Sequence, residues 1–202
     1  MEPGKANEEF RIGVYICHCG SNIAGVVDPV DVAAFAARLP GVVRSTNTFY
    51  ACADTGQNLI KSEIKEYRLN RVVVAACSVR MHEPTFRAAV AEAGLNPFMM
   101  EMANIREQCT WAHGHDKAGA LNKAKDLVAA AVAKVTFSTP LKMIQVPVTK
   151  RAMVVGGGVA GISAALDLGD QGIDTILVER EPTIGGVMAQ LNKTFPTMDC
   201  SI

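Results

Sequence analysis

The sequence RAMVVGGGVAGISAALDL, residues 151–168, predicts a strand, a glycine-rich turn and a helix in direct succession. The turn has the pattern G-x-G-x-x-G with a strand before it and a helix after it, which is the context that dinucleotide-binding folds require. Gly156 permits the tight turn, Gly158 lets the backbone approach a pyrophosphate, and Gly161 lets the helix pack closely on the strand. This stretch therefore predicts a Rossmann-like nucleotide site.

The residues after the glycine turn add further candidate contacts to the nucleotide. The helix begins at Val159 and Ala160, so its first amides face the phosphates. The next predicted strand, residues 174–178, ends at Glu179, whose carboxylate can accept hydrogen bonds from a ribose diol. An acid at this position disfavours NADP because it would repel the 2′-phosphate. The candidate set is completed by three residues of the following turn: Arg180, Gly185 and Gly186.

Upstream of the glycine turn, strand-like and helix-like segments alternate. Strands are predicted over residues 11–17, 42–49, 71–76 and 98–102. Helices are predicted from Asp28 to Leu39, over residues 54–67, from Pro84 to Ala93, and along an apolar face between Leu121 and Val135. This alternation is typical of an α/β fold in which helices pack on both faces of a parallel sheet.

The segment over residues 136–149 marks a boundary between domains. It contains two prolines and a composition rich in strand-forming residues, which predicts an extended linker. We therefore expect a cysteine-bearing α/β domain over residues 1–135, and the first part of a Rossmann-like domain over residues 150–202.

Five of the six cysteines follow predicted strands. Cys17 and Cys19 follow the first strand, Cys52 the second and Cys77 the third, while Cys109 lies beyond the fourth. Because the carboxyl ends of parallel strands lie along one edge of a sheet, we expect these thiols to meet there. Four thiolates can hold a [4Fe–4S] cluster. The positions predict as its ligands Cys19, Cys52, Cys77 and Cys109, with Cys17 in reserve.

Other interpretations of these cysteines stay open. Cysteines are common in protein cores, and zinc is a second alternative, although zinc sites usually contain a C-x₂₋₄-C pair rather than C-H-C. Cys17 and Cys19 reach one site only if the loop turns sharply at His18, a turn that Gly20 and Asn22 favour. At the level of function, the alternatives are a non-catalytic metal-binding docking module and an NAD-dependent thiol enzyme.

Composition and charge argue against several classes of function. The 202 residues carry 20 basic and 20 acidic side chains, without the basic stripe that nucleic-acid binders show. No apolar run reaches the roughly 18 to 20 residues that span a bilayer, and the polar amino terminus is unlike a signal peptide. These features predict a cytoplasmic protein that does not bind nucleic acid.

The sequence resembles the A-type subunit of the heterodisulfide reductases, the iron–sulfur flavoprotein of methanogens and related anaerobic bacteria. Two positions depart from the family pattern, because relatives often have arginine where Val187 stands and proline where Val79 stands. The motifs that carry the resemblance are long and unusual: GVYICHCGSNIAGVVD (13–28), ACADTGQ (51–57), VVVAACSVRMHEPTF (72–86), ANIREQC (103–109), VVGGGVAGISAALDL (154–168) and GGVMAQLNKTFPTMDCSI (185–202).

That resemblance implies a [4Fe–4S] cluster in the first domain and FAD as the dinucleotide of the second. It also implies ferredoxin-like cluster domains further along, and partner subunits of the B and C types. In the complete enzymes, FAD bifurcates electrons from a donor such as a hydrogenase or a formate dehydrogenase. One electron goes toward ferredoxin and the other toward the heterodisulfide of coenzymes M and B. No residue of this chain is expected to be catalytic by itself.

The resemblance further implies several hundred additional residues, beginning with another cysteine after Ile202. The chain is then a fragment, one part of a split protein, or the product of a selenocysteine codon read as a stop. In each case its Rossmann domain is incomplete. We therefore expect the chain alone to be inactive and to need the remainder of the A-type polypeptide.

Overall fold

A computed structural model of the chain describes residues 9–200. The chain divides between Lys142 and Met143 into two compact units, which we call the amino-terminal unit and the carboxy-terminal unit. Each contains a parallel sheet with helical segments packed against it, so the predicted α/β class is confirmed. Among residues 9–200, no helix combines the length and the apolar character that crossing a bilayer requires.

The sheet of the amino-terminal unit has four parallel strands in the order β2-β1-β3-β4. Every residue of β1 and β3 is buried, as expected for central strands covered on both faces. Since β1 and β3 are neighbours, the loops that follow them lie side by side at the carboxyl edge of the sheet. The strands are β1 (Ile12–Cys17), β2 (Val42–Thr48), β3 (Arg71–Ala76) and β4 (Met100–Asn104).

Helices cover both faces of this sheet. Side chains alternate between the two faces along a strand. Successive residues of β1 therefore pack into the hydrophobic cores on opposite faces of the sheet. Val14 and Ile16 pack beneath α2 and α5, whereas Tyr15 and Cys17 pack beneath α3 and α4. The helices are α1 (Ser21–Ala24), α2 (Pro29–Ala36), α3 (Asp54–Glu66), α4 (Val79–Glu92) and α5 (Lys117–Val135), and a π-helix spans Arg106–Thr110.

The start of α4 differs from the sequence-based prediction. The helix begins at Val79, so Pro84 lies inside it instead of opening it. A proline inside a helix removes one backbone hydrogen bond. The apolar face that α4 presents to the sheet, with Phe86 and Val90 almost fully buried, compensates for that loss.

Strand β4 begins two residues later than predicted, because Phe98 and Met99 form a turn. The side chain of Asn96 accepts a hydrogen bond from Phe98 N at 3.0 Å. The backbone carbonyl of Asn96 accepts another from Met99 N at 2.9 Å. This local pairing delays the strand until Met100, and it is typical of asparagine in turns.

A partly buried ion pair links α3 to β2. Glu63 is only 4% exposed, and its Oε1 accepts hydrogen bonds from Arg44 Nε at 2.9 Å and Nη2 at 2.6 Å. The guanidinium also lies over the ring of Tyr67, 5.3 Å from its centroid. Tyr15 is buried beside them, and burial together with the charge of Glu63 raises the pKa of Tyr15 far above its usual value. Arg44 therefore compensates a negative charge in the core.

The carboxy-terminal unit has one covered and one bare sheet face. Its parallel strands β5 (Arg151–Val155) and β6 (Asp174–Val178) are joined through helix α6 (Val159–Asp170), and a short 3₁₀ turn follows at Met188–Gln190. One face of the sheet packs against α6. The opposite face is apolar and lies 42–75% exposed; we call it the bare face, and it consists of Met153, Val155, Ile176 and Val178.

Candidate functional site

Four cysteines lie at the carboxyl edge of the amino-terminal sheet. Cys17 is the last residue of β1, and Cys19 follows in the next loop. Cys52 lies between β2 and α3, and Cys77 directly follows β3. We call these four residues the thiol group.

Burial governs the protonation of two members of the thiol group. It raises the pKa of Cys17, and ionisation of Cys19 or Cys52 would raise it further. Burial also raises the pKa of Cys77 to about 11, with contributions from charge on Cys19 and Cys17. As free thiols, Cys17 and Cys77 therefore stay protonated at neutral pH. A positively charged metal centre would favour their ionised form, which is the form that binds metal.

A left-handed turn brings the backbone of Cys19 close to Cys17. Cys19 has φ +48° and Gly20 has φ +55°, a conformation that is unusual for a residue with a side chain. Asn22 holds the turn, since its backbone and side-chain amides each donate to Cys19 O at 3.2 Å. The turn falls one residue later than the sequence suggested. His18 instead continues the pairing with β2, through a hydrogen bond to Thr48 O at 2.9 Å.

A backbone amide is directed at the sulfur of Cys17. Ala51 N donates to Cys17 Sγ at 3.4 Å, while the amide of Cys19 donates to Phe49 O at 3.1 Å. The loop that carries Ala51 is held against α3 by Gly56, where a Cβ would lie 2.4 Å from Tyr50 O and 2.6 Å from the Cα of Ala51. Hydrogen bonds to sulfur are one of the means by which proteins hold and tune iron–sulfur clusters.

Cys109 has different surroundings from the thiol group. It lies in the π-helix and is fully buried. Its Sγ donates to Ala120 O in α5 at 3.1 Å. Burial raises the pKa of Cys109, and the nearby charge of Lys123 opposes this. Cys109 thus packs in the core beneath α2 and α5. Cys17 belongs to the core on the other face of the sheet, against which Cys19 and Cys52 also pack, so the contacts favour Cys17 over Cys109 in a four-thiol site.

The donors of the thiol group are all sulfur. Within residues 9–200, no set of three His, Cys, Asp or Glu side chains is placed to hold one metal ion. Four thiolates are the usual ligands of a [4Fe–4S] cluster. A set made only of sulfur suits soft metals. The residues present therefore fit an iron–sulfur cluster.

The glycine turn of the carboxy-terminal unit has the geometry that a nucleotide site needs. Gly156 has φ +105°, and a Cβ on Gly161 would lie 1.8 Å from the carbonyl oxygen of Gly156. Helix α6 therefore approaches the turn more closely than any side chain would permit. A Cβ on Gly158 would meet nothing within 4 Å, so the space in front of this residue is open to a pyrophosphate.

Glu179 directly follows β6 and contacts the glycine turn. Its Oε2 accepts a hydrogen bond from Gly157 N at 2.5 Å, and its Oε1 accepts from Arg180 N at 2.7 Å and Glu181 N at 2.9 Å. The amides of Glu181, Gly157 and Arg180 lower the pKa of Glu179, so the carboxylate stays ionised in neutral and weakly acidic solution. A carboxylate offers about four acceptor positions, which leaves capacity for a ribose hydroxyl.

If Glu179 holds the ribose, Glu179→Gln should weaken the binding of ADP by roughly tenfold, the effect of losing a hydrogen bond to a charged acceptor. ADP serves as the probe, and its binding can be followed in the 202-residue chain through the NMR signals of the Gly157 and Gly158 amides. Glu181→Gln removes a carboxylate from the same turn and is expected to leave the affinity unchanged. Equal affinities for the Glu179 and Glu181 variants would contradict the assignment.

An apolar groove extends from the glycine turn. Gly185 N donates to Gly157 O at 2.7 Å, and Gly185 also pairs with Gly158 in a parallel bridge. A Cβ on Gly186, which has φ +58°, would lie 3.0 Å from the Cα of Gly158. Both predicted glycines are thus adjacent to the turn. The groove is lined by Val159, Ile162, Ser163, Ile184, Gly185, Met188 and Ala189.

Two residues predicted to contact the nucleotide have exposed positions outside the lining of this groove. The side chain of Arg180 is 92% exposed and pairs with Glu181 at 3.2 Å. Ala160, in the first turn of α6, is also exposed. Only the fold brings the segment after β6 back beside α6, so most of the lining was not predicted. The missed residues are Ile162, Ser163, Ile184, Met188 and Ala189.

Sequence analysis also missed Arg106. Its Nη1 donates to Cys19 Sγ at 3.3 Å, and its charge lowers the pKa of Cys77 against the larger effect of burial. The sequence offered one hint: Arg106 lies in the same motif, residues 103–109, as the candidate ligand Cys109. Nothing in the spacing indicated that this cation would reach a cysteine from the first loop.

The carboxy-terminal unit is similar to a known protein family. A family model described as FAD dependent oxidoreductase matches residues 152–198. The match covers the glycine turn, Glu179 and the residues of the groove.

Curated relatives match nearly the whole chain. An A-type iron–sulfur subunit of the CoB–CoM heterodisulfide reductase of Methanopyrus kandleri, the second of two in that organism, is 63% identical over 98% of this chain, which covers 30% of the relative. The A-type subunit of the H₂:CoB–CoM heterodisulfide, ferredoxin reductase of Methanothermobacter thermautotrophicus is 59% identical over 96% of the chain, covering 30% of that protein. A protein of Archaeoglobus profundus that is named for its likeness to the same type of subunit is 57% identical over 97%, covering 28%. The chain spans about 30% of the length of the first two of these relatives, and across that segment it is homologous to the A-type subunit of heterodisulfide reductase, which is an oxidoreductase.

Proposed function

We propose that this chain is the part of an A-type heterodisulfide reductase subunit that holds one [4Fe–4S] cluster and the nucleotide half of FAD. The observation that carries the proposal is the thiol group, four thiols at one edge of a parallel sheet. A backbone amide donates to Cys17 and a guanidinium donates to Cys19. The family match over residues 152–198 supports FAD as the dinucleotide.

The proposed ligands of the cluster are Cys17, Cys19, Cys52 and Cys77. The set favoured by sequence alone contains Cys109 in place of Cys17. For that set to bind, Cys109 must give up its hydrogen bond to Ala120 and turn out of the core. Cys17 is also buried, with its Sγ 3.7 Å from Phe49 O. It already lies at the end of β1, however, in the core cluster against which Cys19 and Cys52 pack.

The proposed domains are an iron–sulfur domain over residues 1–135, a linker over residues 136–149, and a partial FAD domain over residues 150–202. The glycine turn and Glu179 would bind the ADP portion of FAD. The bare face of the carboxy-terminal sheet leaves this unit without the second layer that would enclose a whole flavin. We therefore expect the chain alone to hold FAD weakly.

The names of relatives indicate the wider reaction. They assign to those proteins hydrogen, ferredoxin or F420H₂ as reaction partners of a CoB–CoM heterodisulfide reductase. We propose that the complete protein passes or bifurcates electrons between a donor of the hydrogenase or formate dehydrogenase type, ferredoxin and a disulfide acceptor, together with subunits of the B and C types. The flavin would supply the two-electron chemistry and the cluster the one-electron transfers. The residues of this chain bind and orient both.

Anaerobic reconstitution of the 202-residue chain with iron and sulfide tests the proposal. We expect about four iron and four sulfide per chain, the content of one cubane cluster, and no tightly held FAD after flavin is added. Replacing Cys17, Cys19, Cys52 or Cys77 by alanine should remove more than half of the iron and sulfide, because each replacement deletes a ligand. Cys109→Ala and Cys200→Ala serve as controls and should retain the cluster.

Three outcomes would count against parts of this proposal. A chain that takes up no sulfide, or only zinc, would instead be a metal-binding docking module. Loss of the cluster in Cys109→Ala but not in Cys17→Ala would favour the ligand set expected from sequence. Stoichiometric and tightly bound FAD would contradict the proposed half-site.

A further inference from the structure

Arg106 is held in one orientation beside the thiol group. Two of its nitrogens, Nε and Nη2, donate to Glu107 Oε1 at 3.2 Å and 2.7 Å. One face of the guanidinium lies over the ring of Trp111, with Cζ 4.5 Å from the centroid. These contacts leave Nη1 to donate to Cys19 Sγ at 3.3 Å. The side chain of Arg106 is 17% exposed, so water screens its charge only weakly.

The backbone that carries Arg106 is anchored to the loop that carries Cys19. Asn104 Oδ1 accepts hydrogen bonds from Arg106 N at 3.2 Å and Glu107 N at 3.0 Å, which fixes the start of the π-helix. Across the loop, Trp111 Nε1 donates to Asn22 Oδ1 at 3.3 Å. Asn22 in turn donates to Cys19 O through its side-chain amide. The guanidinium and the sulfur are therefore parts of one connected network.

We propose that Arg106 is a positioning residue that raises the reduction potential of the cluster held by the thiol group. This inference rests on the proposed cluster. One-electron reduction adds one negative charge to the site, and a fixed cation hydrogen-bonded to a ligand sulfur stabilises the reduced form more than the oxidised form. The carboxylate of Glu107 acts in the opposite direction, but it lies on the far side of the guanidinium from Nη1. The group that contacts Cys19 Sγ is therefore a positively charged hydrogen-bond donor.

Arg87 offers a matched control in the same unit. Its Nε and Nη2 donate to a carboxylate, Glu83, and its guanidinium lies 4.7 Å from the centroid of Phe98. Its Nη1 donates to the carbonyl oxygen of Pro97 at 3.0 Å instead of to a thiol. Arg87→Gln therefore removes the same charge and the same kind of contacts without touching a sulfur.

The test is a redox titration of the reconstituted 202-residue chain, poised with dithionite as the electron source and followed by electron paramagnetic resonance. At the potential where half of the unmodified cluster is reduced, the ratio of reduced to oxidised cluster should fall about tenfold in Arg106→Gln. This corresponds to about 59 mV for a one-electron couple. Arg106→Lys should recover part of the shift, and Arg87→Gln should titrate like the unmodified chain. Iron and sulfide content is measured on every variant.

An unchanged titration in Arg106→Gln, or an equal shift in Arg87→Gln, would overturn the inference while leaving the cluster itself established. If Arg106→Gln assembles no cluster, Glu107→Gln decides the matter. Removing this carboxylate should move the titration toward higher potential, and an unchanged or lower potential would overturn the inference. If the unmodified chain assembles no cluster, the proposed function fails and this inference fails with it.

Discussion

Replacing Gly161 with alanine is expected to unfold the carboxy-terminal unit. The new Cβ would lie 1.8 Å from the carbonyl oxygen of Gly156, and neither atom can move aside unless the backbone moves. Forcing α6 away from the turn should cost about 3 kcal/mol or more, at the upper end of the range for overpacked sites. The unit buries little apolar surface, so it has little stability to lose. NMR spectra of residues 151–178 should change to those of an unfolded chain, and ADP binding should disappear.

Gly169 provides the control for this prediction, because it lies in the same helix. A Cβ on Gly169 would meet nothing within 4 Å. Gly169→Ala should therefore leave the spectrum intact, and it should stabilise α6 by roughly 0.5–1 kcal/mol through the higher helix propensity of alanine. A native spectrum for Gly161→Ala, with normal ADP binding, would show that α6 tolerates displacement from the turn.

Arg44→Met is expected to destabilise the amino-terminal unit by roughly 2 kcal/mol. This is less than the cost of removing one partner from a fully buried ion pair, because the side chain of Arg44 is 33% exposed. The substitution leaves Glu63, only 4% exposed, as an uncompensated charge in the core. Urea unfolding followed by the fluorescence of Trp111 measures the effect. This residue is the single tryptophan of the chain.

Two further variants separate the charge from the loss of side-chain packing. Arg38→Met removes an exposed arginine and should change the stability by less than about 0.5 kcal/mol. The double variant Arg44→Met/Glu63→Leu replaces the pair by apolar groups and should recover most of the lost stability. A double variant as unstable as Arg44→Met would mean that the contact of Arg44 with Tyr67, not its charge, carries the effect.

The elements that were predicted well are those whose pattern needs no tertiary information. The run RVVVAA of β3 is apolar after its first residue, and a strand covered on both faces explains it. The glycine turn before α6 is equally local. The start of α4 could not be predicted, because Pro84 is tolerated there only through the packing of Phe86 and Val90 on the sheet.

The sequence predicts where the candidate site lies, but not which cysteines form it. Placing cysteines after parallel strands is enough to bring them to one edge of the sheet. Choosing between Cys17 and Cys109 depends on the positive φ of Cys19 and on the π-helix, and neither leaves a clear pattern in sequence. The contact of Arg106 with Cys19 depends on how Glu107 and Trp111 orient a flexible side chain, which only the folded chain determines.

The two units are expected to differ in how cooperatively they unfold, because only the carboxy-terminal unit has a bare face. The amino-terminal unit buries β1 and β3 completely, so these strands can exchange their amide hydrogens only when the whole unit opens. In β5 and β6 alternate residues remain exposed, so this pair can open at a much smaller free energy. One free energy of unfolding cannot describe such a chain. A melting curve recorded through Trp111 reports on the amino-terminal unit, and the amides of β5 and β6 exchange while that curve is still flat.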